Sequence, residues 1–135
     1  MTAEPPLSFD DDAIERAFGR LAGPIHVPSL TSRERESFVR EQLSPWVRLL
    51  VRRFALDTRV VPPCWTRHPG MVEALAALRD HERACFTETA APSAALDWFR
   101  GLREIEARLM DLGAATRCST NQHRENPAAR WADNA

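Results

Sequence analysis

A chain of 135 residues with 44% hydrophobic content is long enough for one packed core and too short for two. A net charge of −1 removes any global electrostatic argument for nucleic acid or an anionic membrane surface. All the positive charge is arginine, with no lysine, and tyrosine is absent; that composition points to a GC-rich coding sequence more than to chemistry, although arginine's planar fork suits carboxylates and phosphates where it clusters.

Met1 to Ser8 is polar and proline-bearing, which predicts a flexible tail over 1–8. A helix is expected next, capped by Ser8 or Asp10, with Ile14, Ala17, Phe18 and Leu21 at helical spacing and Gly23-Pro24 ending it. Ile25 to Leu30 reads as an extended connector. Thr31 and Glu34 have the spacing of a capping box, so a helix should begin there with Phe38, Val39 and Leu43 inward. Ser44-Pro45 either starts a new helix or kinks the old one, and Trp46, Val47, Leu50, Val51 and Phe54 form the apolar stripe that follows. A helix is predicted over 70–86 with Met71, Val72, Leu75, Leu78 and Cys85 inward and Glu73, Arg79 and Arg83 outward. After a loop over 87–92, Ser93 should cap a last long helix with Leu96, Trp98, Phe99, Leu102, Ile105, Leu109 and Leu112 on its apolar face and Gly113 at its end. No strand pattern is present. The expected fold is all-α: one helical domain over 9–118, a bundle of four or five helices, with a polar C-terminal tail over 119–135 of which only the first few residues are ordered.

Pro62-Pro63-Cys64-Trp65-Thr66-Arg67-His68-Pro69 cannot continue a helix and makes a rigid corner, in which Pro69 holds His68 extended and suits the first turn of the next helix. Cys64 and His68 have three residues between them, and Cys118 and His123 have four, spacings that small zinc sites use. Antiparallel packing of the last two long helices would bring both pairs to one end of the bundle. A Cys2His2 zinc site would then tie the tail to the corner; the competing expectation is ordinary packing, with Cys64 a small hydrophobe, His68 a cap, and Cys118 and His123 in a frayed end. His81 and Cys85, one helical turn apart, are a second candidate pair. Three cysteines in a chain without a basic, apolar export signal at Met1 to Pro5 favour thiols for packing or metal over disulfides. No apolar run has the length of a membrane span, so a cytoplasmic protein with no membrane partner is expected.

Catalytic signatures are missing: no glycine-rich phosphate loop, G-x-S-x-G or H-E-x-x-H occurs, and an enzyme is not expected. Arg48, Arg52, Arg53, Arg59 and Arg67 could form a ridge that grips DNA phosphates. Trp65 at the corner and Trp131 in the polar tail are candidate contacts for a protein partner, with self-association an option.

The chain resembles a family of small proteins of unknown function from actinobacterial plasmids, integrative elements and phages. The likeness spans roughly residues 38–123 and is carried by Phe38-Val39, Leu43-Ser44-Pro45, Cys64-Trp65, His68-Pro69, Leu75 and Leu78, Trp98, and Gly113 followed by Cys118 and His123. The family pattern is richer in tryptophan at the corner and has a further histidine soon after the position of Trp98, where this chain has Gly101-Leu102. The resemblance implies a mobile-element setting and no established activity. Together these features lead to the expectation of an accessory adaptor that binds protein, with a nucleic-acid-binding protein as the alternative.

Overall fold

The structure is a computed structural model and describes residues 23–118 and 122–134. The helix expected around Ile14 to Leu21 and the flexible tail over 1–8 lie outside the described residues. Among the described residues the protein is all-α, one domain of five α-helices without strands. They are α1 (Ser32–Phe38), α2 (Ser44–Phe54), α3 (Pro69–Cys85), α4 (Ala94–Thr116) and α5 (Pro127–Asn134).

The capping box forms as the spacing predicts, with the Glu34 amide donating to Thr31 Oγ1 at 3.1 Å and the Thr31 amide donating to Glu34 Oε1 at 2.8 Å. No break follows at Ser44-Pro45. The backbone stays right-handed helical from Phe38 through Ser44, and Val39–Leu43 forms a π-helical turn in which the Ser44 amide reaches back to the Val39 carbonyl. The widened turn accommodates Pro45, which has no amide to donate and whose ring crowds the preceding turn, so α1 and α2 run on as one rod. Ala55 ends it in the left-handed region at φ 51°, ψ 47°, and the Leu56 amide closes back onto the Val51 carbonyl at 3.1 Å.

Helix α3 is the centre of the domain. Met71, Val72, Ala74, Leu75, Ala76, Leu78 and Cys85 are all buried, because α4, the π turn, the corner and a 3-10 turn at Val27–Ser29 pack around it. Polar side chains tie these neighbours on. The Glu82 carboxylate accepts from Trp46 Nε1 at 2.9 Å and from Arg53 Nη1 at 3.1 Å, and Asp80 accepts from the Ile25 amide at 2.9 Å. Arg79, expected to point outward, is half-buried instead: its guanidinium lies over the Phe38 ring at 5.9 Å, and Nη2 bonds Gln42 at 3.4 Å. Its Nη1 is buried without a hydrogen-bond partner among the described residues.

Helix α4 buries Trp98, Leu102 and Leu109, with Ile105 and Leu112 partly covered against the same core. Leu96 and Phe99, expected on that face, fall outside this stripe and are exposed. Ser93 makes no side-chain cap, and Gly113 does not end the helix, which continues to Thr116 and stops at Arg117 with φ 60°. The α3–α4 contact depends on a glycine. His81 Nε2 bonds the Asp97 carbonyl at 3.1 Å, and a β-carbon on Gly101 would sit 2.5 Å from His81 Cδ2. His81 therefore clasps α3 to α4, Cys85 Sγ lies 3.6 Å from its Nε2, and among the described residues the pair has no third metal-binding side chain with it.

This contact predicts a sign reversal. Gly101→Ala alone should destabilise the fold by about 1–3 kcal/mol through overpacking, whereas in a His81→Ala background the same change should be neutral or stabilising by up to about 1 kcal/mol, the ordinary helix preference for alanine; urea unfolding of the four proteins measures both.

Candidate metal centre

The corner is built from tight turns rather than extended chain. Asp57 anchors it: its carbonyl accepts from the Val60 and Val61 amides at 2.9 and 3.0 Å, and its carboxylate accepts from the Arg59 amide at 2.7 Å. One turn of 3-10 helix, Trp65–Arg67, follows the two prolines, so the corner is not wholly non-helical. His68 is extended at φ −115°, ψ 105°, as a residue before proline must be, and Pro69 opens α3. The imidazole of His68 makes no cap and is turned into the protein, 5% exposed.

The antiparallel hairpin of α3 and α4 returns the chain to this end of the domain. Arg117, left-handed, swings Cys118 off the end of α4 and toward His68. Cys118 Sγ lies 3.2 Å from His68 Nε2 and 3.8 Å from His123 Nδ1, and Cys64 Sγ lies 3.5 Å from the same His68 Nε2. The two imidazoles are 4.7 Å apart between centroids and tilted by 44°. One ligand atom from each of Cys64, His68, Cys118 and His123 falls within 4.8 Å of every other, so the four residues are close enough to hold one metal ion. A tetrahedral ion with metal–sulfur bonds of about 2.3 Å and metal–nitrogen bonds of about 2.0 Å sets sulfur and nitrogen about 3.5 Å apart, and the three sulfur–nitrogen distances above bracket that value.

The electrostatics suit metal binding, which needs neutral imidazole and thiolate. Burial, then the neighbouring His123 charge, lowers the His68 pKa below its ordinary value and keeps the ring neutral. Burial also pushes the Cys118 thiol up, but hydrogen bonds from the Thr116 side chain, the Arg124 amide and Cys64 outweigh it and hold the group below the usual thiol value. The Arg124 amide donates to Cys118 Sγ at 3.1 Å, and the thiol can return a bond to the Arg124 carbonyl at 3.3 Å. Cys64 is pushed up, by burial first and then by Cys118. The two thiols of the pair are thus displaced in opposite directions.

A residue that belongs to no sequence motif completes the surroundings. Glu125 Oε1 accepts from His123 Nε2 at 3.0 Å, and Arg67 Nη2 stands 3.8 Å from the same oxygen. Only its position two residues past a candidate ligand could have drawn attention to it.

The other predicted sites are scattered. Trp65 is buried in the core, packed where the corner meets α3, so its indole is not offered to a partner. Trp131, on α5, is 73% exposed. The arginine ridge is partly neutralised: Arg53 pairs with Glu82, Arg59 with Asp57 and Arg67 with Glu125, while Arg48 and Arg52 on α2 are exposed and have no ion pair among the described residues. The chain beyond Cys118, expected to be ordered only at its start, includes α5, all of whose described residues are exposed. No helix among the described residues is long and apolar enough to cross a membrane.

In protein stripped with a chelator, iodoacetamide at neutral pH should modify Cys118 first, Cys64 more slowly and buried Cys85 last, because only Cys118 is held toward thiolate; peptide mass mapping over time gives the order, and equal rates at Cys118 and Cys64 would contradict the electrostatics described. Comparison of the chain with known protein families, with curated proteins and with solved structures gave no match in any of the three.

Proposed function

We propose that this protein is a small helical scaffold stapled by a structural zinc ion at Cys64, His68, Cys118 and His123, and that it acts by binding a macromolecular partner. The observation that carries the proposal is the convergence of two thiols and two imidazoles, one pair from each end of the α3–α4 hairpin, within 4.8 Å. Two sulfurs and two nitrogens in a compact group suit zinc better than hard cations, which take oxygen. With four protein ligands no coordination position is left for substrate, which favours a structural ion over a catalytic one.

The zinc would fix the segment leading into α5 and with it the exposed Trp131, an aromatic of the kind that anchors protein interfaces. Resemblance to small proteins of actinobacterial mobile elements supplies only the setting, such an element, in whose service we place the protein as an accessory adaptor acting inside the cell. A second proposal rests on Arg48 and Arg52, one helical turn apart and exposed on α2 and unpaired with any carboxylate among the described residues, which could grip a nucleic-acid backbone.

Elemental analysis of the full-length protein purified without added metal should find about one equivalent of zinc, absent from Cys64→Ser and Cys118→Ser and retained in Cys85→Ser. Chelation should lower the melting temperature of the parent and leave the two serine variants unchanged. Absence of metal, with unaltered melting in both variants, would return the four residues to ordinary packing. Duplex DNA binding that weakens steeply with salt and is lost in Arg48→Ala and Arg52→Ala would favour the nucleic-acid function, whereas a partner lost only in Trp131→Ala supports the adaptor.

A further inference from the structure

The two histidines of the cluster present different nitrogens. His68 turns Nε2 toward both Cys64 and Cys118, at 3.5 and 3.2 Å. His123 turns Nδ1 toward Cys118, at 3.8 Å, and gives its Nε2 to Glu125, at 3.0 Å. An imidazole that binds a cation through one nitrogen carries its proton on the other, and a carboxylate accepting that proton selects the tautomer, orients the ring and makes the binding nitrogen more basic.

From this geometry we infer that Glu125 is the positioning residue of the metal centre: it holds His123 as an Nδ1 ligand, and Arg67 from the corner steadies the same carboxylate oxygen from 3.8 Å. The inference rests on the zinc proposal and adds to it a fifth and a sixth residue, neither of which touches the ion. Burial of Glu125 is not needed for the role. Its Oε1 is in direct hydrogen-bond reach of His123 Nε2, which is all the role requires. The His123 ring itself is largely covered, 11% exposed at the side chain, while Glu125 is 77% exposed. The bond is therefore partly solvated, and its effect should fall near the low end of what such outer partners contribute.

The arrangement also links the ion to the chain that follows. Asn126, adjacent to Glu125, accepts from the Ala128 amide through Oδ1 and from the Ala129 amide through its carbonyl, both at 3.0 Å, and so opens α5. A single run of five residues, from His123 to Pro127, passes from the cation site through its outer partner to the start of a helix.

The test is zinc affinity of the full-length protein, measured by competition with a chromophoric chelator, for the parent, Glu125→Ala, Glu125→Gln and Arg67→Ala. Glu125→Ala should bind zinc about tenfold more weakly, at unchanged stoichiometry and unchanged helical circular dichroism; Glu125→Gln, which keeps an acceptor oxygen, should recover part of the loss, and Arg67→Ala should lose less than Glu125→Ala. Long-range nitrogen–proton correlation spectra of the zinc-loaded parent should find His123 metallated at Nδ1 with its proton on Nε2, and His68 metallated at Nε2. A parent that binds no zinc overturns both the zinc proposal and this one. A parent that binds zinc, with Glu125→Ala within twofold of it or with His123 metallated at Nε2, overturns this inference alone.

Discussion

Everything in the domain is arranged around the burial of α3. A helix with Val72, Leu75, Ala76 and Leu78 all within 2% of full burial cannot choose one neighbour; it must be enclosed, and the rest of the chain is the enclosure. The rod of α1 and α2 covers one flank, α4 another, and the corner closes the N-terminal end. Because apolar burial has no direction, the polar bonds fix where each neighbour stops: Glu82 receives Trp46 and Arg53 from α2, Asp80 receives the Ile25 amide, and His81 reaches the Asp97 carbonyl on α4. All three come from the last turns of α3. Its first turn is left to the corner and to the Cys/His cluster.

The parts of this fold that could be seen in the sequence are those set by local chemistry. A threonine three residues before a glutamate caps a helix wherever it folds, and a residue before proline is extended whatever surrounds it, so Thr31 and His68 were legible. The two Cys/His pairs were legible as spacings, and their meeting followed from antiparallel helices. What escaped was decided by tertiary contact. Ser44-Pro45 was read as a new helix start or a kink because proline disrupts a continuing helix, but here one π turn carries the helical backbone through to it. Gly113 was read as a terminator; it is instead a flat place in α4 against which the Arg59 carbonyl lies, 3.4 Å from where a β-carbon would be. Arg79 was assigned outward by helical phase, while its long side chain bends back over Phe38. Glu125 belongs to no motif, and its role exists only once His123 has a place.

The cluster of Cys64, His68, Cys118 and His123 also has a cost that shapes it. Two imidazoles with centroids 4.7 Å apart repel one another when protonated, and two neighbouring thiols resist becoming two thiolates. Both penalties are visible in opposite displacements: His68 is held toward its neutral form by burial and by His123, and Cys64 is held toward its neutral form by burial and by Cys118. A cation held by all four, as proposed, would take the imidazoles in their neutral form and offset the repulsion between two thiolates.

Cys118 stands beside His68 although fifty residues separate them along the chain. Any ion held by both ends closes a ring that contains the whole of α3, the loop after it and the whole of α4, and a ring of that size persists for as long as the ion stays bound, even when the helices have melted. Its effect is then on the disordered chain, which loses the freedom to separate its ends; for a covalent bridge over a loop of this length that restriction amounts to about 4 kcal/mol. The hairpin that forms most of the core would search for its native pairing as a closed loop, with its two arms already at the same end.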